Sequence, residues 1–215
     1  MKPRGVPDVA VDHTMFLPDP WLDRWLPLIR ESNADAPVLE IGCGLGDDTL
    51  TLAAVGLPVT AFDLSATSVA ATRLRVPAAH VECRDLRAPF PVAEATAGTV
   101  VASLTLHYFA WAETVELFDR VRRTLRPNGL FLCRLNSTAD SNFGASGHPR
   151  IEANYHLVDG QPKRFFDEAS IDQIFSRGWT VVSREHMVTT KYVKPKALWE
   201  IVARRRDELD AADQR

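Results

Sequence analysis

Short apolar runs alternate with amphipathic segments along most of this chain, and this alternation is typical of an α/β protein built on a parallel sheet. The apolar runs predict strands at residues 37–41, 57–62, 80–83, 98–104, 130–135, 179–191 and 198–204. Apolar residues at helical spacing predict helices at residues 21–29, 49–55, 66–74, 114–125 and 165–177. The pattern therefore predicts a doubly wound α/β fold in a single domain.

One long stretch interrupts the alternation. Residues 136–162 are rich in Ser, Asn, Gly and His, a composition that compact domains usually keep for a binding loop or lid. We therefore expect an N-terminal helical lid at 1–36, a domain at 37–204 with a substrate-loop insertion at 136–162, and a charged tail at 205–215.

Composition and charge exclude several protein classes. Of the 215 residues, 46% are hydrophobic and 25% charged, which rules out a disordered, collagen-like or disulfide-scaffold chain. The net charge of -3 disfavours a nucleic-acid partner. Cys43, Cys83 and Cys133 are far apart and have no histidines at ligand spacing, so they predict no metal site and suit the cytoplasm. We find no export signal or membrane span and expect no membrane partner, while the oligomeric state stays open.

A glycine-rich turn joins the first predicted strand to the following helix. Gly42, Gly44 and Gly46 allow backbone N–H groups to approach a polar ligand, because glycine has no Cβ. Asp47 stands where a dinucleotide fingerprint has its third glycine, and no Gly-Lys-Ser/Thr sequence follows, which argues against NAD and against a P-loop. Asp63 ends the next strand 17 residues beyond Gly46, where a carboxylate suits two vicinal hydroxyls.

The motifs resemble those of the class I S-adenosylmethionine-dependent methyltransferases. VLEIGCGLG, VTAFDLS, ECRDL and RTLRPNGLFL match four motifs of that family in order and spacing, across about residues 37–135. Asn128 replaces the first glycine of the fourth motif, a left-handed position that asparagine tolerates. The resemblance implies a Rossmann-like seven-stranded sheet of order 3-2-1-4-5-7-6, with the last strand antiparallel, and S-adenosylmethionine as cofactor.

The resemblance also implies roles for single residues. Glu40 stands at the acid that holds the methionine end of the cofactor, Asp63 at the acid that accepts the ribose hydroxyls, and Asp85 at the adenine. The implied cofactor-binding residues are Glu40, Gly42, Cys43, Gly44, Gly46, Asp63, Leu64, Asp85, Leu86 and Ser103. Helix capping by Asp63 or Asp85 and simple packing by Cys43 are the alternatives. The alternative functions are a non-catalytic S-adenosylmethionine-binding module and an NAD-binding oxidoreductase.

The end of the fourth strand is expected to face the transferred methyl group. His107 is the leading candidate for a general base there, with a buried core histidine as the alternative, and Tyr108 is the second catalytic candidate. The candidate substrate-binding residues are Trp111, Arg134, Asn136, Tyr155 and His156. Lys163, Arg164, Lys191, Lys194 and Lys196 would suit an anionic acceptor if they converged, and are otherwise solvated charges.

Two further features bear on the acceptor. The Asn/Asp-Pro-Pro-aromatic sequence of nucleobase and glutamine methyltransferases is absent at this strand end, which argues against those acceptors. SLTLHYF, LCRLNST and NYHLVDGQPKRFFD resemble small bacterial methyltransferases related to the tellurite-resistance group. That resemblance implies a small-molecule acceptor, with thiols and chalcogen oxyanions among the candidates.

Overall fold

The computed structural model describes residues 19–206. Residues 1–18 of the predicted lid and 207–215 of the predicted tail lie outside the described residues. The strands are β1 (Val38–Ile41), β2 (Val59–Asp63), β3 (His80–Cys83), β4 (Ala97–Ser103), β5 (Leu125–Asn136), β6 (Arg150–Glu152), β7 (Tyr155–Val158), β8 (Gln161–Arg164), β9 (Trp179–Thr189) and β10 (Lys196–Arg205). The helices are α1 (Leu26–Ser32), preceded by a 3-10 turn at Asp23–Trp25, α2 (Asp47–Ala54), α3 (Ala66–Arg75), α4 (Trp111–Thr124) and α5 (Glu168–Phe175).

Seven strands form one sheet in the order β3-β2-β1-β4-β5-β10-β9. The first five are parallel, whereas β10 runs antiparallel to both β5 and β9. The predicted order and the antiparallel last strand are therefore confirmed. Parallel strands bring their carboxyl ends to one edge of the sheet, which is where ligands of open α/β sheets bind.

Two apolar layers cover the two faces of the sheet. On β5, Phe131 and Cys133 pack with the buried faces of α4 and α5. Leu130 and Leu132 point to the opposite face and pack with α2, α3 and the N-terminal segment around Trp21. The alternation along β5 follows from the two-residue period of a strand and explains why both faces of this central strand are apolar.

The insertion is more ordered than its composition suggests. Sequence analysis expected an irregular loop at 136–162, but β6, β7 and β8 form a small antiparallel sheet. Asp159 and Gly160 join β7 to β8 with φ of 50° and 78°, the backbone of a two-residue hairpin turn. This Asp-Gly pair is a hairpin signal that sequence analysis missed.

The helix-to-strand junction before β5 also differs from the expectation. β5 begins at Leu125, five residues before the predicted strand, and its register against β4 shifts between Ala97 and Thr99. Asn128 adopts a φ of 59°, as predicted for the residue that replaces a left-handed glycine. Within residues 19–206, no helix has the length and apolar character needed to cross a membrane.

Candidate functional site

Three glycines shape the turn between β1 and α2, and each has a different neighbour. A Cβ on Gly42 would lie 2.3 Å from the Thr105 hydroxyl, and one on Gly46 would lie 2.9 Å from a Thr72 methyl group. A Cβ on Gly44 would meet nothing within 4 Å. Gly42 and Gly46 therefore serve close packing, while Gly44 presents its backbone to open space, where a ligand can approach.

Asp63, at the end of β2, holds this loop in place through hydrogen bonds. Its Oδ2 accepts the Gly44 N–H at 2.9 Å, and its Oδ1 accepts the Ser65 N–H at 2.9 Å. The Thr72 hydroxyl of α3 donates to the Gly44 carbonyl at 2.8 Å. The carboxylate thus lies beside the open glycine and has lone pairs left for a ligand, since each oxygen accepts more than one hydrogen bond.

Two further carboxyl groups are buried beneath the loop. The Thr49 hydroxyl donates to Glu40 at 2.5 Å, and the Trp21 indole donates to both oxygens of Asp48 at 2.9 and 3.1 Å. Burial, reinforced by the charge of Asp48, raises the pKa of Glu40 to about 8. Burial also raises the pKa of Asp48 to about 6. A cation bound here would relieve this repulsion, whereas an anion would increase it.

The residues of the third motif form a turn after β3. Asp85 Oδ1 accepts the Arg87 N–H at 2.8 Å, and the Asp85 side chain is half-exposed. Leu86 is buried in the core, whereas Leu64, after β2, is 68% exposed. Asp85 stabilises its own turn and caps no helix, since none begins between β3 and β4, and contact of these residues with a cofactor stays a prediction.

The end of β4 lies against the glycine loop in a strained conformation. Leu104 has a φ of 53°, which is uncommon for a residue other than glycine, and its N–H donates to the Arg134 carbonyl at 2.9 Å. The next residue, Thr105, is the one that packs against Gly42. Backbone strain of this kind concentrates at functional sites. Here the strained residue lies where the end of β4, the predicted site of methyl transfer, packs against the predicted cofactor loop.

His107 lies in the turn after β4 and is almost completely buried. Burial, with the nearby charges of Lys196 and Lys163, holds the pKa of His107 well below its ordinary value, so the imidazole is neutral at physiological pH. Its Nδ1 has no hydrogen-bond partner within the described residues. The ring lies 4.2 Å from that of Tyr108, centroid to centroid, and Tyr108 is 42% exposed. A neutral imidazole with a free nitrogen can accept a proton.

Three of the predicted substrate residues lie where the small sheet meets the turn after β4. The Tyr155 hydroxyl donates to the Tyr108 carbonyl at 2.9 Å, and the Trp111 N–H donates to Glu152 at 2.6 Å. His156 lies 6.0 Å from Phe165, ring to ring. These contacts make the small sheet one wall of the region around His107.

The other two predicted substrate residues are on β5 and are buried. Arg134 pairs with Asp19 at 2.5 Å and lies 3.5 Å from Glu200. Asn136 is 1% exposed, and its Oδ1 has no partner in the chain between residues 19 and 206. The Arg134 side chain is therefore held by the carboxylates of Asp19 and Glu200, whereas the Oδ1 of Asn136 can accept a hydrogen bond from a ligand.

Three of the five basic residues predicted as a group are paired, whereas Lys163 lies close enough to His107 and Lys196 for its charge to act on both. Lys196 is buried and pairs with Asp140 at 2.9 Å, and Lys191 lies 3.6 Å from Asp47. Arg164 pairs with Glu152. Since these pairs join residues distant in sequence, no local signal predicts them.

Tyr192, which lies between β9 and β10, was not predicted from the sequence. Its ring packs 5.6 Å from that of Phe143, and burial raises its pKa to about 12. The charges of Arg134, Asp19 and Asp48 also act on this hydroxyl, so Tyr192 lies between the glycine loop and the end of β5.

Comparison with known proteins agrees with this geometry. Residues 38–129 match the family model of the methyltransferase domain. Over these residues the chain is therefore similar to methyltransferase domains. The matched segment runs from β1 into the start of β5 and includes the glycine loop, Asp63, Asp85 and His107.

Two curated proteins are similar in sequence to this chain. A malonyl-[acyl-carrier protein] O-methyltransferase from Enterobacter lignolyticus is 28% identical over 144 residues, covering 66% of this chain and 53% of that protein. An uncharacterised methyltransferase from Synechocystis is 30% identical over 112 residues, covering 51% of this chain and 52% of that protein. The chain spans about half the length of the curated relatives it matches.

A solved structure shares the fold of this chain. It is the Burkholderia thailandensis 1,6-didemethyltoxoflavin-N1-methyltransferase with bound 1,6-didemethyltoxoflavin and S-adenosylhomocysteine. The TM-score is 0.63 at 21% identity, with coverage of 88% of this chain and 82% of that one.

Proposed function

We propose that this protein transfers a methyl group from S-adenosylmethionine to a small-molecule acceptor. The observation that carries the proposal is the acidic glycine loop, where Glu40, Asp48 and Asp63 surround a backbone that is open at Gly44. S-adenosylmethionine carries a sulfonium and an ammonium group, and both positive charges would relieve the repulsion among these carboxyls.

Different residues of the chain would bind different parts of the cofactor. Glu40 would hold the methionine end, Asp63 would accept the ribose hydroxyls beside Gly44, and Asp85 with Leu86 would border the adenine. When bound, S-adenosylmethionine supplies an electrophilic methyl group on a positively charged sulfur. Because displacement at that carbon depends on alignment, the protein mainly has to orient the acceptor and exclude water.

His107 would act on the acceptor. An acceptor that carries an O–H, N–H or S–H bond must release one proton when it gains the methyl group. The neutral imidazole of His107, with its unpartnered Nδ1, would accept a hydrogen bond from that group and receive its proton during the transfer, while its lowered pKa would favour passing the proton on. Tyr108, tilted against this ring, would contact either the acceptor or the cofactor.

The acidic loop also disfavours an oxidoreductase with NAD. The pyrophosphate of NAD would approach Gly44 close to the buried carboxyl groups of Glu40 and Asp48, and the two negative charges would repel each other. A non-catalytic S-adenosylmethionine-binding module would keep the same loop, so turnover has to be measured directly.

Several observations support a small acceptor. One curated relative is a malonyl-[acyl-carrier protein] O-methyltransferase, and one structural relative is a 1,6-didemethyltoxoflavin-N1-methyltransferase. Proteins with this fold therefore methylate acceptors of different chemistry. The resemblance of the segment around His107 to methyltransferases of the tellurite-resistance group points in the same direction. A net charge of -3 offers little for nucleic acid, and three free cysteines suit the cytoplasm.

Calorimetric titration with S-adenosylmethionine and with NADH tests the cofactor. We expect S-adenosylmethionine alone to bind, and Asp63→Ala to weaken binding by about 1–3 kcal/mol, the scale for losing charged hydrogen bonds. Asp35→Ala is the matched control, because Asp35 is an exposed acid just before β1, at the opposite edge of the sheet. Binding of NADH instead would contradict the proposal, and binding without S-adenosylhomocysteine release in a metabolite extract would favour the non-catalytic module.

A further inference from the structure

Several buried polar atoms lack a partner in the region beyond the cofactor loop. They include Asn136 Oδ1 and Asp140 Oδ1, together with Nδ1 of His107 and of His156, and none has a partner among residues 19–206. In its Nε2–H tautomer His107 presents Nδ1 as an acceptor. Leaving such a group unsatisfied is unfavourable, and more so for a charged group. Three of them in one region are better explained by a ligand that completes their hydrogen bonds.

Backbone contacts bring the three residues together. The Arg164 N–H donates to the His107 carbonyl and the Phe166 N–H donates to the Asn136 carbonyl, both at 2.7 Å, so these two residues flank the segment that follows β8. Asn136 pairs with Leu198 on β10, two residues after Lys196.

Lys196 lies close to both Asp140 and His107. Its ammonium bonds Asp140 at 2.9 Å and is also close enough to lower the pKa of His107. His107, Asn136 and Asp140 therefore border one region at the carboxyl ends of β4 and β5. We call these three residues the acceptor triad.

The positive charges near the acceptor triad are already neutralised or exposed. Lys196 is paired with Asp140, lies 4.5 Å from the Phe143 ring centre and is only 7% exposed. Arg134 is paired with Asp19. Lys163 on β8 is partly exposed, and its charge acts on both His107 and Lys196. An anionic ligand would therefore meet buried acceptors, while Lys196, the buried cation nearest to them, is already paired with Asp140.

Aromatic side chains form the wall of the same region. Phe143 and Tyr192 lie 5.6 Å apart, ring to ring, and the Lys196 ammonium lies 4.5 and 5.9 Å from their ring centres. The Tyr108 ring is tilted against that of His107, 4.2 Å away. Aromatic walls favour a flat ligand with an apolar body.

We propose that the acceptor is a small, neutral or cationic molecule that donates hydrogen bonds, an amine or an N–H heterocycle, and that it binds through the acceptor triad. This inference rests on the proposed function and narrows it to one class of substrate. An oxyanion or carboxylate would leave the three acceptors unsatisfied and would face the Asp140 carboxylate.

Two flat probes of matched shape and opposite chemistry test the proposal. Benzamidine donates hydrogen bonds and is cationic, whereas benzoate accepts them and is anionic. With the protein saturated by S-adenosylhomocysteine, ligand-detected NMR titration should give benzamidine an affinity about tenfold or more above that of benzoate, from its charged hydrogen bonds. Equal or tighter binding of benzoate or of tellurite would overturn the inference.

Two variants locate the probe at the acceptor triad. Asp140→Asn leaves Lys196 without its charged partner and should reverse the preference towards benzoate, while Asn136→Asp should strengthen benzamidine binding. Asp172→Asn is the control, since Asp172 pairs with Arg184 on the exposed side of α5. S-adenosylhomocysteine affinity reports the fold of each variant, and if Asp140→Asn does not fold, Asn136→Asp decides the location. An unchanged probe preference in a folded variant would contradict the assignment.

The same titrations separate this inference from the proposed function. If the wild-type protein binds neither S-adenosylmethionine nor S-adenosylhomocysteine, the proposed function fails. If it binds both but prefers benzoate, only the proposed acceptor class fails.

Discussion

The Glu40 carboxyl is buried beside three other carboxylates, and burial is the main reason that its pKa rises to about 8 in the free protein. At pH 7 about a tenth of the molecules have Glu40 ionised, and at pH 9 about nine-tenths do. A cationic cofactor binds the ionised form, so its affinity should rise by up to about tenfold between these pH values, with proton release on binding. Calorimetry in buffers of different ionisation enthalpy measures both effects.

Glu40→Gln provides the control for this prediction. The variant keeps the size of the side chain and its place beside Thr49 but cannot ionise, so we expect its affinity to vary less with pH. Titration of the cofactor's own amino group is common to both proteins and cancels in the comparison. Identical pH profiles would place Glu40 outside the cofactor's electrostatic reach.

His107→Asn should lower kcat and leave cofactor affinity unchanged, because the imidazole lies on the acceptor side of the site. Proton transfer by a positioned base contributes about 100-fold or more to a rate, so a loss of that size is expected in steady-state assays. Full activity in the folded variant would leave His107 with a structural role only.

The same residue should make folding sensitive to acid. Native His107 resists protonation, whereas in the unfolded chain it binds a proton below its ordinary pKa of 6.5. Its stability contribution is therefore complete above pH 6.5 and is lost as pH falls, because the unfolded state then binds more protons. Urea unfolding at pH 7 and pH 5 should show a smaller loss of stability for His107→Asn than for the wild type.

The element that positions the cofactor is the β1–α2 turn, and its glycines are not equivalent. Gly42 and Gly56 both have φ above 70°, but only at Gly42 would a Cβ collide with a neighbour, Thr105. Alanine at Gly56 should cost about 1–2 kcal/mol from left-handed strain alone. Gly42→Ala should cost more and abolish cofactor binding, as measured by chemical unfolding and calorimetry.

A second substitution identifies the cause of that loss. Thr105→Gly removes the atoms that the new Cβ would meet, so Gly42→Ala with Thr105→Gly should recover part of the stability lost by Gly42→Ala alone. Equal costs for alanine at Gly42 and Gly56 would show that close packing against β4 is not what requires Gly42.

The elements of this fold differ in how readily the sequence predicts them. The sequence pattern predicted β3 to the residue, and Ser65 caps α3 by accepting the Ser68 N–H at 3.2 Å. The small sheet was missed because its strands are short and polar, although Asp159 and Gly160 mark one of its turns. The pairing of Lys196 with Asp140 joins residues 56 apart, and burial of that kind depends on tertiary contacts.

At the scale of the whole molecule, the N-terminal segment is tied to both the sheet and the cofactor loop. Asp19 pairs with Arg134, the Trp25 indole donates to Glu200 at 3.0 Å, and the Trp21 indole donates to Asp48. Only the Trp21 contact reaches the glycine loop directly. The segment therefore links α1 to the glycine loop through the Trp21 indole.

Trp21→Phe keeps an aromatic ring in the core but removes the donor to Asp48. We expect faster S-adenosylhomocysteine dissociation in stopped-flow measurements and faster hydrogen exchange across α1, because a charge-assisted bond worth about 1.5–3 kcal/mol is lost. Trp25→Phe removes the bond to Glu200, on the same segment but away from the loop, and should increase exchange without changing dissociation. If both variants accelerated dissociation equally, the segment would act through its packing as a whole, and the Asp48 contact would have no separate part in retaining the cofactor.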